Sequence, residues 1–224
     1  QRDEIMLIMG TDRAGAGLRL LDELGLLAHV LPELDVTRGV DQPKEHHWDV
    51  FNHSIEAVVA MDMLLADDAV TGGQAKAFRD ELWLALSWWE GARGYFKDVL
   101  VPGIPRSAVI KLACLLHDIG KPVTKSFQED GRMRFFGHAA AGAQLARKLM
   151  RRMHFSSRET KMVTGMVDAH MRPLQMAQQG PPSNRAIYRF FRDTGEAGAD
   201  TLFLSLADHM AAVGPRLSMD GWRR

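Results

Sequence analysis

The sequence predicts an all-α protein. Three observations carry that prediction. Apolar residues recur at helical spacing over most of the 224 residues, as in Leu18, Leu20, Leu21, Leu24 and Leu27 and in Phe51, Ile55, Val58, Val59, Met61, Met63 and Leu65. Only the polar, glycine-containing stretch 122–137 leaves room for paired strands, and these would be short. Thirteen methionines suit an adaptable helical interior.

Taken in order, residues 1–9 read as a short helix carrying Ile5, Leu7 and Ile8, interrupted by Thr11-Asp12, Gly15 and Gly17. A second helix spans 16–27, with Arg19, Asp22 and Glu23 opposite its leucines and Gly25 near its end, where glycine takes the left-handed conformation. A brief helix leads to Leu31-Pro32-Glu33-Leu34. The loop 37–45, with Pro43, reads as a linker. His46-His47-Trp48-Asp49 opens a strongly helical run, 50–66, and Gly72-Gly73 breaks it. A helix over 74–90 carries Phe78, Leu82, Trp83, Leu86 and Trp89. Gly91, Gly94, Pro102, Gly103 and Pro105 then predict a long loop, with Ser107 as N-cap of a helix ending at His117. Strands are expected at most around 124–127 and 133–136, with Asp130-Gly131 as the turn. An alanine-rich helix starts at Gly137-His138 and ends on the basic residues Arg147, Lys148, Arg151 and Arg152. Ser156-Ser157-Arg158-Glu159 reads as a capping box opening a helix to His170, which Pro173 prevents from continuing. After a Gln/Gly/Pro loop, 175–182, Ser183 starts a helix to Arg192, and a last helix spans 199–213.

Composition narrows the function classes. Lys+Arg and Asp+Glu both number 28, so no global basic field marks a nucleic-acid binder. No apolar run has transmembrane length, and Gln1-Arg2-Asp3-Glu4 does not read as a signal peptide. The single cysteine, Cys114, lies in an apolar run and reads as a core thiol in a reducing compartment. A cytoplasmic protein that does not enter membranes is expected.

The chemistry centres on Leu115-Leu116-His117-Asp118-Ile119-Gly120-Lys121. An apolar helix ends on two adjacent metal-ligand side chains, and charged groups at the edge of a core need a partner such as a cation. His53, His138, His170 and Asp208, each on or near a predicted helix, supply further candidates. Imidazole nitrogens with carboxylate oxygens suit a divalent metal such as manganese, nickel, cobalt, iron, zinc or magnesium, and do not choose among them or fix the ion count. One arrangement gives His53, His117, Asp118 and Asp208 one ion. Asp118 then bridges to a second site, where His138 and His170 hold an ion or contact a phosphate. A divalent ion lowers the pKa of bound water and so provides a nucleophile for phosphorus. Lys121, just after the pair, could reach the phosphate oxygens as charge builds, or simply neutralise a helix end. Asp118 and Lys121 are therefore the expected catalytic residues. His29, His46, His47, His154 and His209 read as ordinary core or boundary histidines. Asp208 is preferred over His209 because helical neighbours point about 100° apart. Glu56 could accept a hydrogen bond from His53 but reads as a solvated helix residue, and Asp168 likewise. Trp83, Trp88 and Trp89 read as core or interface.

The ordered series His53, His117-Asp118, His138, His170 and Asp208, with Asp118-Ile119-Gly120-Lys121, resembles the HD-domain metal-dependent phosphohydrolases. A narrower resemblance starts at Leu18. Residues 18–27 with Leu31-Pro32-Glu33-Leu34 resemble the helical neck of bacterial tRNA nucleotidyltransferases and poly(A) polymerases, some of which carry an HD domain after the neck. Asp49-Val50-Phe51-Asn52-His53-Ser54, residues 186–192 and Ser205-Leu206-Ala207-Asp208 resemble the same subset. The resemblance implies an HD-type helical bundle over 45–215, a neck-like segment over 1–44 and a tail over 216–224. It also implies hydrolysis of nucleotide or RNA-end phosphoesters, with tRNA as a candidate partner. No Gly-Ser pair followed by paired aspartates occurs in these residues, so this chain alone is not expected to add nucleotides. It could be part of a longer protein or a free-standing homologue. The segment 65–106 looks longer than the family's usual link. The alternative reading is an RNA-binding body of a nucleotide-adding polymerase, its metal site structural or weakly active.

Overall fold

The structure, a computed structural model, describes residues 1–44, 46–66, 73–178 and 180–218. The break expected at Gly72 and the end of the tail, 219–224, lie outside them. The helical periodicity of the sequence becomes helices around one hydrophobic core, and the fold is all-α.

The chain opens with α1 (Arg2–Met9) and α2 (Ala14–Glu23), then two single turns, α3 (Leu27–Val30) and α4 (Pro32–Asp35). Helix α2 starts two residues before its predicted span and stops four short of it. The chain turns at Gly25, whose φ is +70°. Ile5, Met9, Leu18, Leu31 and Leu34 are buried in the same core as the rest of the chain. A buried polar tie fixes this first segment. Lys111 donates to the Thr11 carbonyl at 2.6 Å and pairs with Asp62 at 2.7 Å, while Asp62 accepts from the Gly15 amide at 2.8 Å. All these groups have partners, so their burial is tolerated.

Helix α5 (Val50–Leu65) is capped by Asp49, whose carboxylate accepts from the Asn52 amide at 2.8 Å. Next come α6 (Gly73–Ala85) and α7 (Ala92–Lys97), then a two-stranded antiparallel ribbon, β1 (Val99–Val101) with β2 (Ile104–Pro105). Three expectations are corrected here. The helix predicted over 74–90 ends at Ala85, and the loop after Gly91 contains a helix and a strand pair. Of the tryptophans read as core or interface, Trp83 packs against Phe96 and Phe203, and Trp88 is 76% exposed. Ser107 is not an N-cap: α8 (Arg106–Leu116) begins one residue earlier, after the extended Pro105.

Helix α8 is buried at every residue from Ala108 to Leu116. Burying a Leu or Ile side chain contributes about 1.5–3 kcal/mol. A helix apolar on all sides goes to the centre, and α5 and α11 pack against this one. The polar pair at its C-terminus is thereby carried inside the protein.

Beyond it lie α9 (Lys121–Thr124) and a short hairpin, β3 (Ser126–Phe127) with β4 (Met133–Arg134), paired Ser126 to Arg134. Then come α10 (His138–Arg152), α11 (Ser157–Ala169), α12 (Arg172–Ala177), α13 (Asn184–Thr194) and α14 (Gly198–Val213). The capping box is present at α11: Ser156 caps the Glu159 amide and Glu159 answers at the Ser156 amide, 2.8 Å away. Pro173 follows the end of α11 and sits in the first turn of α12, which occupies the start of the loop expected at 175–182. Among the described residues no helix is long and apolar enough to cross a membrane.

Candidate metal centre

Five elements each bring one or two polar side chains to one place. His53 comes from the first turn of α5, and His117 and Asp118 from the end of α8 and the turn after it. His138 is the first residue of α10, His170 follows the last residue of α11, and Asp208 lies in α14. His53, His117 and His170 are 0% exposed and Asp118 is 1% exposed. Asp208 and His138 retain some exposure, with side chains 17% and 13% accessible, so the cluster opens on their side.

Backbone hydrogen bonds set the tautomers. Nδ1 of His117 lies 2.7 Å from the Cys114 carbonyl, Nδ1 of His138 lies 2.8 Å from that of Phe135, and Nδ1 of His170 lies 2.7 Å from that of Val167. A carbonyl oxygen only accepts, so each Nδ1 carries a hydrogen and donates it. In the neutral rings Nε2 is then a bare acceptor, which is the form that binds a metal. All three pairings run from residue i to the carbonyl at i−3: helical backbone aims the rings of His117 and His170, and the turn before α10 aims that of His138.

These acceptors face one another. His53 Nε2 is 3.1 Å from His117 Nε2, and His138 Nε2 is 3.3 Å from His170 Nε2. The two oxygens of Asp118 divide between the pairs. Oδ2 lies 3.3 Å from His53 Nε2 and 3.2 Å from His117 Nε2; Oδ1 lies 3.5 Å from His138 Nε2 and 3.9 Å from His170 Nε2. Asp208 Oδ1 closes the first group, 3.0 Å from His53 Nε2 and 3.4 Å from His117 Nε2.

The donors fit a divalent cation. Ligand atoms about 2.0–2.1 Å from one ion lie about 2.9–3.4 Å from each other at tetrahedral or octahedral angles. All five separations quoted for the first group fall in that range; the second group is looser. Two groups could therefore hold a metal: His53, His117, Asp118 and Asp208, and Asp118, His138 and His170. All six residues singled out in the sequence as metal ligands meet here.

Without a cation the carboxylates demand another positive charge. Burial by itself lowers the His117 pKa, but Asp118 and Asp208 outweigh it and hold the ring at about 10. Burial raises both carboxylates in turn, and His117 reverses that, keeping Asp118 and Asp208 well below the usual range. His170 goes the other way. Burial, reinforced by positive charge on His117, pushes it down to about 4, so its ring stays neutral.

Lys121 is buried and does not sit at a helix C-terminus; it opens α9. Its Nζ lies 2.5 Å from Asp118 Oδ2 and donates to Gln42 Oε1 at 2.5 Å. Gln42 belongs to the loop that the sequence marks as a linker, and its amide donates to the Trp48 carbonyl at 3.1 Å. His46 from the same loop lies edge-on to His53, ring centres 5.4 Å apart. Burial first, then Lys121, lowers its pKa to about 4. Neither residue is legible as a site residue, because loop residues have no periodicity. The only signal is that His46-His47 directly precedes the helix carrying His53. His29, His47, His154 and His209 belong to neither group, and Glu56 pairs with Arg19 rather than with His53.

Comparison with known proteins matches the chain to two families. The family described as HD domain matches residues 50–213, which include all six residues. The family described as probable RNA and SrmB-binding site of polymerase A matches residues 1–37. A CC-adding tRNA nucleotidyltransferase of Thermus thermophilus is 32% identical over 95% of the chain, and an A-adding tRNA nucleotidyltransferase of Deinococcus radiodurans is 32% identical over 97%. The chain spans only 39% and 40% of those two proteins. A bifunctional uridylyltransferase/uridylyl-removing enzyme of Bradyrhizobium diazoefficiens is 26% identical over 97% of the chain, which covers 20% of it.

Proposed function

The chain belongs to the HD-domain family, and from that premise we propose that it is a divalent-metal-dependent phosphohydrolase acting on nucleotide or RNA-end phosphoesters. One observation carries the reading. Two pairs of buried imidazoles meet through their Nε2 atoms on either side of one carboxylate, Asp118, and Asp208 closes the first pair.

In this proposal His53, His117, Asp118 and Asp208 hold one ion, and Asp118, His138 and His170 hold a second. When bound, such ions supply water of lowered pKa and neutralise charge building on phosphoryl oxygens. The chain's residues prepare for that. The carbonyls of Cys114, Phe135 and Val167 keep three rings in the ligating tautomer. Lys121 fixes the orientation of Asp118 and adds positive charge beside the cluster, where phosphate oxygens gain charge in the transition state. The buried histidines exclude bulk water on one side, and the substrate enters on the Asp208 and His138 side, where the cluster is accessible. The domain division 1–44, 45–215 and 216–224, the cytoplasmic setting and tRNA as a partner belong to the same proposal.

The second reading is an RNA-binding body of a tRNA nucleotidyltransferase or poly(A) polymerase whose metal site is structural or weakly active. It draws on the match over residues 1–37 and on the two tRNA-adding relatives. The variant Asp118→Ala is expected to lose metal and hydrolysis together while circular dichroism still reports the helices. Wild-type protein loaded in turn with Mn, Ni, Co and Mg tests the two readings. Turnover of 2′,3′-cyclic nucleotides or nucleoside monophosphates supports the first; salt-dependent tRNA binding with no turnover on any metal overturns it in favour of the second.

A further inference from the structure

Two glycines outside both ligand groups lie where the groups meet. Gly120 ends the turn that carries His117 and Asp118, and Gly142 lies one turn into α10, four residues after His138. Neither needs to be glycine for its backbone angles: Gly120 has φ −82° and ψ −12°, and Gly142 is helical. Gly120 needs it for space. A Cβ at Gly120 would fall 2.2 Å from the His138 carbonyl oxygen, 2.5 Å from the Gly142 nitrogen and 3.0 Å from the Gly142 Cα. The turn therefore rests directly on the backbone of the first turn of α10. Backbone atoms in that position cannot swing aside.

Gly142 occupies the other side of this contact. A Cβ there would meet Val167 Cγ1 at 3.3 Å, the Gly120 nitrogen at 3.4 Å and the His117 carbonyl oxygen at 3.5 Å. Val167 is also the residue whose carbonyl accepts from His170 Nδ1. The distances from a Cβ at Gly142 to the turn are ordinary contacts and only the Val167 side chain would have to give slightly, so the place where the turn and α10 meet without room for a side chain is Gly120. Group one does not use this junction except through the turn. Its other ligands come from α5 and α14, which pack directly on each other.

We infer that Gly120 is a positioning residue that sets the number of cations bound: its contact with α10 brings His138 close enough to Asp118 Oδ1 for one carboxylate to serve two ions. This rests on the phosphohydrolase reading only for its metal. A methyl at position 120 pushes α10 off the turn, and the second group is already the looser one. The first group keeps its four residues.

The test is manganese stoichiometry and electron paramagnetic resonance on Gly120→Ala, with Gly165→Ala in α11 as control, because nothing lies within 4 Å of a Cβ there. The expected result is two ions per chain with a spin-coupled spectrum for the wild type and Gly165→Ala. For Gly120→Ala it is one tight ion, an uncoupled spectrum, and second-ion affinity lower by about 10–100-fold, as for other changes just outside a ligand shell. Should Gly120→Ala fold poorly, the wild-type stoichiometry and spectrum still decide, because a wild type that binds a single ion overturns the inference. A coupled two-ion spectrum in Gly120→Ala overturns it too. A wild type that binds none overturns the phosphohydrolase reading as well. Loss of the second ion from Gly120→Ala in a protein that hydrolyses nothing keeps the positioning role and removes only the activity.

Discussion

Removing the metal should cost this protein a measurable part of its stability. A ligand that binds only the folded state stabilises it by about 2.7 kcal/mol when free at 100 times its dissociation constant. The unfolded chain cannot present the first group, because its ligands are far apart in sequence: His53, His117-Asp118 and Asp208 meet only when α5, α8 and α14 have packed. For a protein of this size about 1 kcal/mol moves the melting temperature by about 2–4 °C. One ion is therefore worth about 5–11 °C, and two ions at the same saturation about twice that. The assay is thermal unfolding followed by fluorescence, comparing protein in excess manganese with protein in chelator. Asp208→Asn supplies the internal check. Asp208 contacts only the first group, so that variant should keep roughly half of the manganese-dependent shift. A wild type that melts at the same temperature with manganese and with chelator would refute the argument that these groups hold a cation in the folded state.

Two further outcomes follow from the charges. In the cation-free protein His117 is held at about 10 and is charged at neutral pH, so an arriving cation must displace its proton. Calorimetry at pH 7 in buffers of different ionisation enthalpy should show about one proton released per first-group ion, with affinity falling as the pH is lowered. Away from the site, Arg106 of α8 pairs with buried Asp200 of α14 at 2.8 Å, and Tyr95 donates to the same carboxylate at 2.8 Å. Arg106→Ala leaves that buried carboxylate without its cation and should destabilise the fold by about 3–5 kcal/mol in urea unfolding, with metal stoichiometry unchanged.

What the sequence made legible follows from the physics of each feature. Helices were legible because burial imposes a 3.6-residue period, and α5, α8 and α14 are long enough to show it. The capping box at Ser156 and the hairpin turn at Asp130-Gly131 were legible because both depend on contacts within a few residues. Ser107 misled for the same reason: an N-cap residue type next to a proline reads locally as a helix start, while the helix begins at Arg106, whose side chain is pinned by Asp200 far along the chain. The six candidate ligands could be named because His and Asp at the ends of apolar helices are out of place without a partner. Their distances could not. Gln42 and His46 reach the cluster through a loop, where no pattern records direction.

The division of Asp118 between two groups is the feature that sequence is least able to show, and it depends on backbone rather than side chains. A carboxylate spans two ions only if the elements beyond each oxygen stand at the right distance. On the Oδ2 side that distance is set by apolar packing of α5, α8 and α14, where a methyl more or less is absorbed by side-chain rearrangement at modest cost. On the Oδ1 side it is set where the turn meets α10, with backbone against backbone and no side chain between. Such a contact has no rotamers through which to yield. The first group should therefore tolerate conservative core substitutions, such as Ile55→Val or Leu116→Met, without change in metal affinity, while the second responds to a single carbon added at Gly120, which would stand 2.2 Å from the His138 carbonyl oxygen.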